Sequence, residues 1–133
     1  MKALLDTNII IHREANKIVS QDIGILYRWL DRGKYTECIH SATIEEIKKN
    51  PNKETVKLFL VKLDSYETIE IPSPIQDEVK KISESYDRTE NDLIDTSLLN
   101  EVFVGRVDIL ITEDKKIHKK ANALGIQDKV YTI

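Results

Sequence analysis

The 133-residue sequence has a single cysteine, Cys38, which excludes an internal disulfide and any metal site built from cysteines alone. No apolar run approaches the roughly 20 residues that a membrane-spanning helix needs. The first apolar stretch is too short for a signal peptide, and Asp6 interrupts it. We therefore expect a cytoplasmic protein that does not associate with membranes and that keeps Cys38 as a buried thiol.

Neither sign of charge dominates. The sequence has 20 Lys and Arg residues against 23 Asp and Glu residues, which gives a net charge of −3. A domain that coats nucleic acid would be strongly basic, so this balance argues against one. The balanced charge is compatible with a local basic patch beside a local acidic pocket. Whether the chain has such a pair depends on the order of its residues.

Proline and glycine are also scarce, with three and four residues, and no run of either marks a linker between domains. The hydrophobic content of 41% suits an ordinary globular core. We find no internal repeat and expect one domain over residues 1–133.

The hydrophobic pattern alternates between strand-like and helix-like segments. Short apolar or alternating runs predict strands at 2–5, 37–40, 67–71, 107–111 and 129–133. Helical spacing and end signals predict one helix from about Ile9 and others at 23–32, 42–49 (capped by Ser41), 53–63, 75–86, 90–104 and 114–124. Long connections and almost wholly apolar strands favour an α/β fold with a parallel sheet covered on both faces.

Five acids recur beside the predicted strand ends. Asp6 and Asp114 follow two of the strands, while Glu46 lies one turn into the helix after the second strand. Asp92 and Asp95 lie in the first turns of the helix that precedes the strand at 107–111. Ligands of open parallel sheets bind beyond the carboxyl ends of the strands, where the strand order reverses. We therefore expect several of these carboxylates to meet at that edge.

Carboxylates within ~5 Å of one another repel by a few kcal/mol per pair, so such a group needs a cation or takes up protons. Oxygen ligands without Cys or His favour Mg²⁺ or Mn²⁺ over Zn²⁺. These ions can activate a water molecule, neutralise a phosphate and stabilise a leaving oxygen. Taken singly, each acid also has a structural explanation, as a helix cap, a partner of the helix dipole or a solvated side chain.

Four segments of the sequence resemble the PIN-domain family of metal-dependent ribonucleases, which includes the VapC-like toxins of bacterial and archaeal toxin–antitoxin pairs. They are LLDTNI at 4–9, IHSATIEEI at 39–47, DTSLL at 95–99 and LITED at 110–114. Their order and spacing match the family over nearly the whole chain. The resemblance implies a three-layer α/β/α sandwich with a central parallel sheet of about five strands.

The resemblance also implies site residues. Four acids would form the metal site: Asp6, Glu46, Asp95 and Asp114. Asp92 is the alternative to Asp95, which is preferred because the apolar Leu98-Leu99 that follows it matches the family pattern. Three neighbours would support the acids through hydrogen bonds: Thr7, Asn8 and Thr112.

The resemblance predicts an endoribonuclease that hydrolyses RNA phosphodiester bonds with metal-activated water, as the toxin of a toxin–antitoxin pair. Positive charge beside the site would bind RNA phosphates, and the candidates lie in the helix after Asp114: Lys115, Lys116 and Lys119, with Lys120 in the same run. A solvated helix face is the alternative for these lysines. An antitoxin and a second copy of the chain are the implied protein partners. The segment at 107–126 also resembles PIN modules that are joined to acetyltransferase domains.

Two other classes stay open on the sequence. A non-catalytic PIN-fold binding or assembly module would keep the fold without turnover. A phospho-acceptor receiver domain also places acids at strand ends, but adjacent acids normally follow its first strand, whereas Thr7 and Asn8 follow Asp6. The three histidines show no pairing that indicates a zinc site or a general base, so we interpret them as structural: His12, His40 and His118.

Overall fold

The computed structural model describes residues 1–14, 21–86 and 90–132. Its strands are β1 (Lys2–Leu5), β2 (Thr36–His40), β3 (Glu67–Ile69), β4 (Ile109–Ile111) and β5 (Val130–Tyr131). Its α-helices in these ranges are α1 (Thr7–Glu14), α2 (Gln21–Arg32), α3 (Ser41–Lys48), α4 (Lys53–Lys62), α5 (Asp77–Tyr86), α6 (Glu90–Phe103) and α7 (Lys115–Ala123). Ile133 of the predicted last strand and the side chain of His12 lie outside what is described.

The five strands form one sheet in the order β3-β2-β1-β4-β5, and every neighbouring pair is parallel. The chain extends the sheet on one side of β1 through β2 and β3, then returns to its other side with β4 and β5. The strand order therefore reverses between β1 and β4, and the carboxyl ends of these two strands flank the crevice where ligands of such sheets bind.

Helices cover both faces of the sheet. Along β1, Ala3 and Leu5 enter one hydrophobic core, whereas Leu4 enters the other, because successive side chains of a strand point to opposite faces. Leu30 of α2 belongs to the first core and Leu98 of α6 to the second. The predicted three-layer α/β/α sandwich with a five-stranded parallel sheet is thus confirmed.

A strand or helix is present at each predicted segment, but several ends differ from the prediction. The strand predicted at 107–111 begins only at Ile109, because the amide of Val107 bonds to the carbonyl of Glu101 at 3.4 Å instead of pairing with β1. Helix α3 is capped by His40 and not by Ser41, since the His40 Nδ1 accepts a hydrogen bond from the amide of Ala42 at 3.0 Å.

Local signals fix other helix ends. Asn52 caps α4 through its side-chain oxygen, which accepts from the amide of Thr55 at 3.2 Å. Gly125 follows α7 with a φ of 74°, a conformation that suits glycine at a helix end. Across residues 1–14, 21–86 and 90–132, the helices are too short or too polar to span a lipid bilayer.

Candidate metal and active site

Asp6 lies at the carboxyl end of β1 and is only 6% exposed. Its Oδ1 accepts a hydrogen bond from the Thr7 amide at 2.7 Å, and its Oδ2 accepts one from the Thr112 hydroxyl at 2.6 Å. The Asp6 amide donates to the carbonyl of Ile111 at 3.0 Å, so β1 and β4 stay joined up to this residue. Fixed donors therefore hold both carboxylate oxygens at the point where the strand order reverses.

Thr112 links Asp6 to the start of α7. Its hydroxyl donates to Asp6 and also accepts from the amide of Asp114 at 3.0 Å. Asp114 is the N-cap of α7, and its Oδ1 accepts from the amides of Lys116 at 2.8 Å and Ile117 at 3.4 Å. Asp114 therefore has the helix-capping role that its position in the sequence suggested. Both cap bonds use Oδ1 of its carboxylate.

Four of the predicted acids lie close enough for their charges to act on one another. Burial is the largest cause that raises the pKa of Asp95 to about 8; the negative charges of Asp6, Asp114 and Glu46 contribute, and the positive charge of Lys120 opposes them. Burial likewise raises the pKa of Asp6, where Asp114 and Glu46 add to the effect and hydrogen bonds oppose it. Carboxyl groups from β1, α3, α6 and the start of α7 thus act on one another across the sheet edge. We call these four residues the carboxyl cluster.

The carboxyl cluster fits a hard divalent cation in its donor chemistry, because all of its side-chain ligands are carboxylates. Within residues 1–14, 21–86 and 90–132, no three His, Cys, Asp or Glu side chains form a ready ligand set. Ligation of one ion by three of the acids therefore requires side-chain movement.

Asp92 and Asp95 have different surroundings. The Asp92 carboxylate forms an ion pair with Lys116, at 3.0 Å between Oδ1 and Nζ. Asp95, one turn further along α6, is influenced by the other acids of the cluster. These surroundings favour Asp95 over Asp92 as the cluster member.

The three predicted supporting residues differ in what they contact. Thr112 bonds directly to Asp6, whereas Thr7 does so through its backbone amide. The Thr7 hydroxyl instead donates to Thr43 at 3.2 Å. Asn8 is exposed on α1.

The lysines of α7 divide between surface and interior. Lys115 and Lys119 are exposed, and they remain candidates for binding phosphates. Lys116 is partly buried and paired with Asp92, so its charge is already engaged. The fourth lysine of this run, Lys120, is fully buried.

Lys120, which the sequence offered as a candidate for binding phosphates, lies inside the protein and is not available to RNA. Its Nζ donates to the Thr96 hydroxyl at 2.8 Å, and its positive charge lowers the pKa of Asp95 against the effect of burial. A signal was available, because Lys120 shares the inward face of α7 with Ile117 and Ala121. A lysine on an apolar helix face is rarely buried without a negative neighbour.

A second buried charged group lies at the end of β2. Glu101 of α6 and His40 are both fully buried, with 3.2 Å between Oε2 and Nε2. Burial is the largest influence on His40 and lowers its pKa, while the charge and hydrogen bond of Glu101 oppose that shift. Arg106 approaches the other oxygen of Glu101 at 3.7 Å. The interpretation of His40 as structural fits these contacts.

We expect the stability of the metal-free protein to fall as the pH rises toward 8, because Asp95 retains a proton in the folded chain. Its pKa of about 8 lies above the ordinary value of 3.8, so the folded state holds the proton over a range in which the unfolded state has released it. The contribution is complete below the unfolded pKa and is lost as the pH rises through the folded pKa. Thermal unfolding in EDTA should show a melting temperature that declines by a few degrees across this range.

Asp95→Asn supplies the control for this pH dependence. The variant cannot titrate at this position, so its melting temperature should change less with pH than that of the wild type. His40 acts in the opposite direction, because its lowered pKa favours folding as the pH rises. The difference between the two proteins isolates Asp95, and equal pH slopes would contradict its raised pKa.

The parallel sheet, its covering helices and the acids at the strand reversal define a protein with the PIN-type α/β/α fold. This chain is similar to a solved chain from VapBC2 of Rickettsia felis, with a TM-score of 0.60. That structure was crystallised with a DNA fragment from the VapBC2 promoter. The match covers 100% of this chain and 99% of the other at 15% sequence identity. No family model matches the sequence, and no curated protein matches it.

Proposed function

We propose that this chain is a metal-dependent endoribonuclease that cleaves RNA phosphodiester bonds at the carboxyl cluster of Asp6, Glu46, Asp95 and Asp114. The observation that carries the proposal is the buried Asp6 carboxylate at the strand reversal, which two fixed donors hold in place; its charge and those of Asp114 and Glu46 act on Asp95. A cluster of four carboxyl groups favours a divalent cation, and carboxylate ligands favour Mg²⁺ or Mn²⁺. The PIN-type fold, shared with the chain from VapBC2, is the fold that the sequence resemblance to metal-dependent ribonucleases implies.

The bound ion would activate a water molecule and neutralise charge on the phosphate. The residues of this chain contribute orientation. The Thr7 amide and the Thr112 hydroxyl hold the Asp6 carboxylate in one position, and the α7 cap bonds hold Asp114. Because Asp6 and Asp114 are already held in place, fewer side chains have to move when the ion binds. Exposed Lys115 and Lys119, just beyond Asp114, would bind RNA phosphates without reading sequence.

The toxin role is the cellular setting that we propose for this activity. The similar structure is a VapBC2 complex, so a protein antitoxin is the inhibitor that such a role implies. A second copy of the chain and a fused acetyltransferase domain remain the other proposed partners. The cytoplasm is the proposed location, because RNA is the proposed substrate.

The direct test is a Mn²⁺ or Mg²⁺ titration of the purified chain followed by cleavage of a fluorophore-labelled RNA. Cleavage should appear with the ion and disappear when EDTA is added. Metal or RNA binding without turnover would instead identify a non-catalytic module. A stable aspartyl-phosphate formed from a small phosphodonor would identify a receiver-like domain.

Two neighbouring Asp→Asn variants on α6 test the assignment of the third acid. Asp95→Asn should lower RNA cleavage by about 100-fold or more, because it removes a charge from the group that would bind the ion. Asp92→Asn should retain activity to within about tenfold, since its carboxylate is engaged by Lys116. Initial rates at saturating Mn²⁺ measure both. A larger loss of activity in Asp92→Asn than in Asp95→Asn would identify Asp92 as the third acid.

A further inference from the structure

Lys120 is a charged side chain in an unusual position. It lies on the inward face of α7, is 0% exposed and directs its Nζ to the Thr96 hydroxyl at 2.8 Å. Burying an ammonium group is costly unless negative charge lies nearby. Thr96 directly follows Asp95 on α6, and the positive charge of Lys120 acts on the Asp95 carboxyl group.

Two side-chain hydrogen bonds join helices α6 and α7. Lys116 and Lys120 are one turn apart on α7, and their partners Asp92 and Thr96 are one turn apart on α6. The outer pair is partly exposed, with 38% exposure for the Lys116 side chain. The inner pair is shielded from solvent, so the charge of Lys120 is screened less by salt.

We propose that Lys120 is a built-in counter-ion of the carboxyl cluster, which stabilises the acids when no metal is bound and weakens the binding of a divalent ion. The inference rests on the proposed metal site. A fixed positive charge beside the cluster offsets repulsion among the acids in the metal-free protein. The same charge repels an incoming cation, so the lysine sets the metal concentration at which the site is filled. Lys120 acts through the acids and is a positioning residue.

Calorimetric titration of the full chain with Mn²⁺ tests this role. Lys120→Met keeps the length of the aliphatic stem and removes the charge. It should bind Mn²⁺ about tenfold more tightly than the wild type. Lys116→Met removes the same charge from the same helix at the outer pair, and its affinity should stay within about twofold. Unchanged or weaker Mn²⁺ binding by Lys120→Met would overturn the proposal.

The rise in melting temperature on adding Mn²⁺ gives a second readout that a merely structural lysine would not move. Lys120→Met should melt at a lower temperature than the wild type in EDTA and should gain more from added Mn²⁺. Equal losses with and without Mn²⁺ would reject the counter-ion role. If the variant does not fold in EDTA, millimolar Mn²⁺ should restore the folded circular dichroism signal. A chain that stays unfolded in Mn²⁺ would count against the proposal.

The wild-type titration separates the two proposals. A wild type that binds Mn²⁺ while Lys120→Met binds no better retains the metal site and rejects the counter-ion. A wild type without measurable binding, beside a Lys120→Met variant that binds, supports the counter-ion and shows that the lysine dominates the site. Absence of Mn²⁺ binding in both proteins rejects the metal site together with the counter-ion.

Discussion

Asp6→Asn should reduce metal-dependent RNA cleavage by about 1,000-fold or more while leaving the fold intact. The change replaces one carboxylate oxygen of the proposed metal ligand with an amide group and removes its charge. The side-chain carbonyl can still accept from the Thr7 amide, and the amide group can donate to the Thr112 hydroxyl. In the wild type, Asp6 makes the corresponding hydrogen bonds with the Thr7 amide and the Thr112 hydroxyl. The measurement is the initial cleavage rate of a labelled RNA at saturating Mn²⁺.

The fold of Asp6→Asn is checked by thermal unfolding in EDTA. Burial raises the pKa of Asp6, so the charged carboxylate is disfavoured in the folded chain. A neutral amide avoids this cost, and the variant should therefore be at least as stable as the wild type at neutral pH. Lower activity together with retained stability would show that the variant loses the cleavage reaction and not the fold.

Asp108→Asn is the matched control for Asp6→Asn. Asp108 is exposed and directly precedes β4, at the opposite edge of the sheet, where its carboxylate accepts from the amide of Lys2 at 2.6 Å. The same chemical change there should leave cleavage within about twofold of the wild type. Full activity of Asp6→Asn, in a preparation free of contaminating nuclease, would remove Asp6 from the proposed reaction.

Much of the fold could be predicted from the sequence because its signals are local. The apolar run before Asp6 is a buried strand, and Asn52 and Gly125 mark helix ends through their own side chain or backbone. The positions of acids after strands also follow from such local patterns. The parallel order of strands then sets Asp6 and Asp114 on either side of one crevice.

The remaining features depend on pairs that are distant in sequence. Asp92 and Asp95 lie three positions apart on one helix, and only the approach of Lys116 from α7 distinguishes them. Lys120 has its partner Thr96 in another helix, 24 positions away. Local periodicity shows that such a lysine faces inward, but it does not reveal the group that it meets.

His40 and Glu101 are the strongest example, since 61 positions separate them. Nothing in the segment around His40 indicates a buried acid, and nothing around Glu101 indicates a histidine. The pair forms because α6 packs on the sheet face to which the end of β2 contributes. Its energetic importance can therefore be judged only from the folded arrangement.

Glu101→Ala should lower the free energy of unfolding by about 3–5 kcal/mol, because it breaks a buried polar network from one side. The Glu101 Oε2 meets the His40 Nε2 at 3.2 Å and accepts from the Ser73 amide at 3.4 Å. Removing the carboxylate leaves a fully buried imidazole without this partner and opens a cavity. Urea unfolding at neutral pH, followed by circular dichroism, measures the loss.

Glu101→Gln separates charge from packing in this network. Glutamine has nearly the same shape, and its carbonyl can still accept from His40 and from the Ser73 amide. The Glu101 Oε1 has no hydrogen-bond partner among the described residues, and Arg106 lies 3.7 Å from it, so Gln loses mainly the charge interaction. We expect a loss of about 1–2 kcal/mol for Gln. A loss below about 1 kcal/mol in Glu101→Ala would mean that solvent or a shifted Arg106 compensates for the carboxylate, and that the network contributes little to holding α6 on the sheet.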